Sequence, residues 1–243
     1  MSEDRTQDHT RNRSQDRAPD PAPDRAQDPA RDRAQDPARD RPRDQTRDRG
    51  HVQEFFGARA ADWDRKFPGD GPAFATAVGE FGLRSGDRVL DAGCGTGRAL
   101  TALRAAVGPS GTVLGADVTP QMLTAAREAG RDAEGALLLA DVARLPLRDG
   151  VLDAVFAAGL VAHLPDPGAN LRELARVVRP GGRLALFHPI GRAALAARHG
   201  RELTPDDMRA EHNLGPLLAG SGWSLTSYAD EDARFLALAV RTP

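Results

Sequence analysis

The chain has 243 residues, a formal net charge of −2 and a single cysteine, Cys94. One cysteine excludes an internal disulfide framework and any multi-cysteine zinc or iron–sulfur site. No apolar run approaches the roughly 18 residues of a membrane span, and the N-terminus lacks the apolar core of a secretory signal. The expected setting is therefore cytoplasmic, without membrane contact.

Residues 1–49 contain no Val, Ile, Leu, Phe, Trp, Tyr or Cys. Asp recurs at every fourth position from Asp16 to Asp48, and Arg17, Arg25, Arg33, Arg41 and Arg49 each follow an Asp. A period of four suits a charge-laced helix, but Pro19, Pro21, Pro23, Pro29, Pro37 and Pro42 oppose one. Such a segment has nothing to bury against its ordering entropy, so residues 1–50 read as a disordered, low-complexity tail. The first 50 residues hold 12 acidic and 12 basic side chains, and the remainder 23 and 21. Neither part carries the basic excess that nucleic acid or an anionic membrane selects.

Residues 51–243 read as one folded domain. Val52, Phe55 and Phe56 open an apolar face, and helices are expected near 52–59 and 72–82, separated by Pro68-Gly69-Asp70-Gly71-Pro72. Strand and helix patterns then alternate. Strands are expected at 88–91, 112–117, 137–140, 152–157 and 183–187. Helices are expected at 99–107, at 120–129 behind Pro120, and at 170–178 before Pro180-Gly181-Gly182. A helix near 206–220 and strands at 223–228 and 235–240 follow. This order predicts an α/β, Rossmann-like fold: a mostly parallel sheet with helices on both faces and ligand at the carboxyl ends of the strands. The short connection over 229–234 allows a hairpin, so the last strand is expected to run antiparallel.

The most informative stretch is Val89-Leu90-Asp91-Ala92-Gly93-Cys94-Gly95-Thr96-Gly97, a strand running through three alternating glycines into a helix. Glycine permits a tight turn and close ligand approach, although a plain tight turn also fits. Arg98 stands where the dinucleotide fingerprint needs Gly or Ala, and no Gly-Lys-Ser/Thr phosphate loop is present. Asp117 ends the second strand, where a carboxylate can take two ribose hydroxyls; a helix N-cap is the other reading. Asp141 follows the third strand and could accept from an exocyclic amine or simply shape a turn.

These residues carry a family resemblance. Residues 89–97 look like motif I of the class I S-adenosylmethionine-dependent methyltransferases. Leu171-Arg172-Glu173-Leu174-Ala175-Arg176-Val177-Val178-Arg179-Pro180-Gly181-Gly182 resembles that family's helix-to-strand segment, and the spacing of Asp117, Asp141 and 152–156 also matches. The resemblance covers roughly 52–241 and is nearest the small-molecule type 11 group, similar to quinone-biosynthesis enzymes. It implies a seven-stranded sheet and S-adenosylmethionine as cofactor. It implies that Gly93, Gly95 and Gly97 underlie the methionine moiety and that Asp91 holds its amino group. Asp117 would bind the ribose, Val118 and Met122 would pack on adenine, and Asp141 with the backbone of Val142 would meet the adenine amine. Ala157 and Ala158 would line the transfer site, and Cys94 would pack the loop.

A sulfonium methyl group is already activated, so a base is needed only for a protonated acceptor. His163, just past the fourth strand, is the first candidate; a structural role is the alternative. His188 is a second candidate, while His199 and His212 read as polar surface. Trp63 and Asp64 lie in the N-terminal region that caps the cofactor in related enzymes, and Trp63 could equally be packing. No Asp/Asn-Pro-Pro-Tyr/Phe follows the fourth strand, and the sole Cys lies in the glycine loop. Polynucleotide acceptors are therefore not expected, which leaves a small-molecule methyl acceptor. A non-catalytic binding module on the same fold, and a nicotinamide-dependent oxidoreductase, are the competing readings. The acceptor, the O-, N- or C-nucleophile and the oligomeric state are not encoded in any motif.

Overall fold

The computed structural model describes residues 49–243. The expected disorder of the tail concerns residues that lie almost wholly outside them. The described chain opens with α1 (Arg49–Gly57), a 3-10 turn (Ala60–Asp62), α2 (Trp63–Lys66) and α3 (Gly71–Phe81). Then come β1 (Arg88–Ala92), α4 (Leu100–Val107), β2 (Thr112–Asp117), α5 (Pro120–Glu128) and β3 (Ala136–Leu139). β4 (Leu152–Ala158), α6 (Pro167–Val177), β5 (Val178–His188), α7 (Arg192–Arg198), α8 (Glu211–Ala219), β6 (Trp223–Glu231) and β7 (Arg234–Arg241) complete it.

The seven strands form one sheet in the order β3-β2-β1-β4-β5-β7-β6. β1 pairs in parallel with β2 and β4, and β5 in parallel with β4. β7 enters between β5 and β6 and runs antiparallel to both, which is the orientation the short connection before it predicts. Side chains alternate across the sheet and so feed two cores. Leu90, Val155, Ala157, Leu184 and Leu186 pack with Leu171 and Leu174 of α6, Leu214 and Leu218 of α8, and Trp223. Val89, Ala154, Phe156, Ala185 and Phe187 pack on the other face, with Phe74, Val78 and Phe81 of α3 and Leu100 and Leu103 of α4. Phe156 is wholly buried and meets the rings of Phe74, Phe81 and Phe187. Truncating such a residue to Ala costs about 3–5 kcal/mol.

Three elements differ from expectation. β5 begins at Val178 and runs through Pro180-Gly181-Gly182, which the sequence reads as a stop. The pairing jumps from Leu152↔Val178 to Ala154↔Arg183, so the Pro-Gly-Gly run is absorbed as a bulge. α8 begins at Glu211 rather than near 206, because Ala210 is extended and Asn213 Nδ2 donates to the carbonyls of Pro205 and Asp207. α7 carries too short an apolar pattern to be read in advance. It starts after Gly191, where a side chain would collide with the Glu231 carbonyl of the β6–β7 hairpin. Among the described residues no helix is long and apolar enough to cross a membrane.

Candidate functional site

The carboxyl ends of β1, β2 and β4 open into a cavity of about 340 Å³, roofed by α1 and α2 with the 3-10 turn joining them. A void of this size suits a small-molecule ligand. Its floor is the loop after β1. Gly93, Gly95 and Gly97 have φ of 69°, 54° and 79°, a region that side chains disfavour. The N–H groups of Gly93 and Cys94 both donate to the Ala116 carbonyl, at 2.8 and 2.9 Å, tying the loop to β2. Gly93 and Gly95 line the cavity, and a side chain at Gly95 would meet no atom closer than Met122 Sδ at 3.9 Å. Gly97 does not line it: a side chain there would strike Leu100 at 2.9 Å and crowd Arg131 at 3.4 Å. Cys94 is buried against Gly115, whose missing side chain leaves room for the sulfur. Burial and the two nearby carboxyls push its thiol well above the usual range.

Two aspartates face the cavity from neighbouring strands. Asp117 is buried and doubly engaged: Oδ2 accepts from Gly95 N at 2.8 Å and Oδ1 from Thr119 N at 2.8 Å. Its side chain thus bonds the glycine loop to the start of α5, while Thr119 occupies the N-cap position. A carboxylate has further lone pairs, so these bonds leave capacity for ligand hydroxyls. Burial nevertheless raises its pKa. Asp91 is wholly buried, and its Oδ1 has no hydrogen-bond partner. Burial first and the Asp117 charge second push its pKa up to about 8. An unpaired buried carboxyl oxygen on a cavity wall is costly until a donor arrives.

The remaining predicted contacts sit on the loops after β2 and β3 and in the first turn of α5. Val118, Met122, Asp141 and Val142 all line the cavity. Asp141 Oδ1 accepts from Ala143 N at 2.9 Å, a turn-shaping bond, while Oδ2 lies 3.7 Å from Arg49 of α1. The ligand implied by the resemblance needs a carboxylate for an ammonium, bare backbone beside it, an acid for a ribose and an apolar slot for a purine. The unpaired Asp91 oxygen, the open side of Gly95, Asp117 and the Val118–Met122 wall supply these in that order, so the residues fit the group.

Sequence reasoning missed how the roof is fastened. Gln53 Nε2 donates to the Val118 carbonyl at 2.6 Å. Asp64 accepts from Thr96 Oγ1 at 2.7 Å and pairs with Arg131 at 2.6 Å. Arg98, noted above only as a departure from the dinucleotide pattern, donates to the Phe67 carbonyl and pairs with Asp70. These partners lie 28 to 67 residues apart, so no local pattern announces them.

The far end of the cavity is largely apolar. Ala157 and Ala158 end β4, and Phe56, Trp63, Phe67, Leu160, Ile190 and Leu195 surround the space beyond them. His163, His188 and His199 all line it. The His163 ring stands edge-on to Phe56, with centroids 5.1 Å apart. His188 Nδ1 lies 2.8 Å from the Ile190 carbonyl. His212 is outside the cavity, with Nε2 2.8 Å from the Pro205 carbonyl. Trp63 touches Phe56 and Phe67 within the roof as well as facing the cavity, so packing and lining coincide.

Comparison with known proteins bears on this geometry. Residues 90–186 match the family model described as a methyltransferase domain, of type 11. Methyltransferase GfsG of Streptomyces halstedii is 40% identical over 118 residues, covering 46% of this chain and 41% of that protein. The 27-O-demethylrifamycin SV methyltransferase of Amycolatopsis mediterranei is 38% identical over 113 residues, covering 45% and 41%. The matching segment thus spans less than half the length of these curated relatives. A crystal structure of a SAM-dependent methyltransferase from Aquifex aeolicus superposes with a TM-score of 0.61 at 25% identity, covering 80% of this chain and 99% of that one.

Proposed function

Because the chain belongs to the class I S-adenosylmethionine-dependent methyltransferases of type 11, we propose that it methylates a small, largely apolar acceptor through a hydroxyl oxygen. The observation that carries the cofactor half of this reading is the unpaired, buried Oδ1 of Asp91 beside the open glycine loop. When bound, S-adenosylmethionine supplies a methyl group activated by a sulfonium.

The chain's own residues do the rest. Asp91 takes the ammonium of the amino-acid moiety, Gly95 lets that moiety lie on bare backbone, and Gly93 lines the cavity beside it with Leu160 packed over its Cα. Asp117 takes the ribose hydroxyls with the lone pairs its backbone bonds leave open. Val118 and Met122 pack on the adenine, and Asp141 with Val142 receives its amine. Ala157 and Ala158, small residues at the end of β4, leave space where acceptor and methyl group meet. Phe56, Trp63, Leu160, Ile190 and Leu195 exclude water and bind the apolar body of the acceptor. Holding two reactants in line in this way is worth about 7–11 kcal/mol. His163 takes the hydroxyl proton, with Phe56 fixing its ring. The apolar wall and the nearby histidines favour an oxygen acceptor, and the rifamycin-modifying relative is named for an oxygen substituent.

The test is calorimetry with S-adenosylmethionine, S-adenosylhomocysteine and NAD on the full chain and on Asp117→Ala. Binding of the first two, absent in the variant, supports the reading. A screen of apolar hydroxylated acceptors then reads S-adenosylhomocysteine formation. Failure to bind either sulfur compound, or preference for NAD, overturns the reading. Binding without turnover on any acceptor would leave a cofactor-binding module.

A further inference from the structure

Gly97 shows where the glycine loop does something other than hold a ligand. The space a side chain would fill there is bounded by Leu100 at 2.9 Å and by the Arg131 side chain at 3.4 Å. From beside Gly97, Arg131 Nη1 donates to the Thr96 carbonyl at 2.6 Å and reaches Asp64 of the roof at 2.6 Å. Asp64 also accepts from the Thr96 hydroxyl at 2.7 Å, and Thr96 is itself buried. Arg98, two residues on, lies 4.0 Å from Asp64 and holds Asp70 and the Phe67 carbonyl. Asp64 is therefore the meeting point of three groups, Thr96 and Arg98 from the loop side and Arg131 from the segment beyond α5, and it is the only charged roof residue that bonds to both among the contacts described. At the other end of the roof, Gln53 holds the Val118 carbonyl and Arg49 faces Asp141.

We propose that Asp64 is a positioning residue, a latch through which the glycine loop holds the roof shut over the cavity and so sets how fast the cofactor exchanges. The inference rests on the methyl-transfer reading for the identity of the ligand, but the latch itself is defined by the protein's own contacts. Its physical logic is linkage. Gly93, Gly95, Asp117 and Asp141 line one cavity with Val52, Phe55, Phe56 and Trp63 of the roof, so a ligand seated on them also meets the roof. Opening breaks the Asp64 bonds to Thr96 and Arg131, and both partners are partly or wholly desolvated. Asp64 itself is 38% exposed, so solvent screens the ion pair, and the bond to the buried Thr96 hydroxyl acts with it rather than beside an isolated strong pair. The loop conformation that receives the ligand is also the one that presents Thr96 to Asp64, so occupancy and closure favour each other.

The experiment compares the full chain with Asp64→Asn and with Asp62→Asn, whose ion pair to Arg65 stays within the roof and does not reach the loop. Two readouts are taken: the dissociation rate of S-adenosylhomocysteine, followed by Trp63 fluorescence, and trypsin cleavage at Arg59, Arg65 and Lys66 with and without that ligand. Trp223 is fully buried in the core, so the roof tryptophan dominates any change. Asp64→Asn should raise the dissociation rate about tenfold and speed roof cleavage in the bound protein, with the melting temperature of the body shifted by only a few degrees. Asp62→Asn should behave as the parent. Equal behaviour of the two variants overturns the latch. If the parent binds no S-adenosylhomocysteine, the methyl-transfer reading fails instead. Cleavage of the ligand-free protein then decides the latch alone: faster for Asp64→Asn supports it, and equal rates overturn it.

Discussion

Asp91 and Asp117 face one cavity from adjacent parallel strands, yet only Asp117 is satisfied: its two oxygens accept from Gly95 and Thr119, while Asp91 Oδ1 accepts from nothing. The pair divides the work of the site. Asp117 spends its bonds on shaping the loop, and Asp91 keeps an oxygen in reserve. The cost of that reserve is visible in its pKa of about 8, raised by burial and then by the Asp117 charge.

Cofactor affinity should therefore depend on pH. The ammonium needs the carboxylate, and below about pH 8 the free protein holds Asp91 protonated. Affinity should rise about tenfold per pH unit up to that value and flatten above it. Calorimetry of S-adenosylhomocysteine at pH 7 in two buffers of different ionisation enthalpy should register release of about one proton. Asp91→Asn should abolish both the slope and the proton release, and should weaken binding at least a hundredfold. A flat affinity profile from pH 6 to 8 in the parent protein would refute this assignment.

The same shift has the opposite consequence for stability. An acid whose folded pKa lies above its unfolded value of 3.8 binds more protons folded than unfolded between those two values. Stability contributed by Asp91 is thus full below about pH 4 and is lost as pH rises toward 8, at up to about 1.4 kcal/mol per unit. Asp91→Asn removes that slope. The ligand-free variant should melt at a temperature that gains on the parent between pH 5 and 8 and exceeds it at pH 8. Thermal melts across that range check the sign: a lead that shrinks as pH rises would contradict it.

Two of the three loop glycines, Gly95 and Gly97, should separate by phenotype. All three need positive φ, so each Ala substitution carries a backbone cost of about 1–2 kcal/mol. At Gly97 the new methyl also strikes Leu100 and crowds Arg131, so Gly97→Ala should cost a further 1–2 kcal/mol or so in denaturant unfolding. At Gly95 the methyl meets no protein atom within 3.9 Å but enters the cavity. Gly95→Ala should leave stability nearer the parent and weaken S-adenosylhomocysteine at least tenfold. Equal stability losses in the two variants would remove the distinction.

Much of this was legible in the chain because buried parallel strands read as apolar runs. Val89, Leu90, Ala154, Val155 and Phe156 announce β1 and β4 without help from tertiary context. The glycine loop and its acids were legible for the same local reason: strand, glycines and helix are contiguous. What failed depended on distant partners. Nothing near Arg98 or Asp64 reveals that they meet across the roof, and nothing near Gly97 reveals that Arg131 packs beside it. The Pro180-Gly181-Gly182 run misled because a bulge in a paired strand and a loop between elements use the same residues.

The proton acceptor is the last part of the reading open to test. His163 lines the acceptor end of the cavity, its backbone N–H donates to the Leu160 carbonyl at 2.8 Å, and its ring is held edge-on by Phe56. A base acting on a hydroxyl contributes typically 10²–10⁴-fold. With a hydroxylated acceptor, His163→Gln should lower kcat about a hundredfold and leave S-adenosylhomocysteine affinity within about twofold of the parent, because no predicted cofactor contact involves it. The loss of kcat should be smaller in Phe56→Leu, where the base is retained but less well held. A parallel loss of kcat and cofactor affinity would instead assign His163 to packing. Unchanged kcat would move the base to His188, which His188→Gln measured on the same acceptor would then reveal.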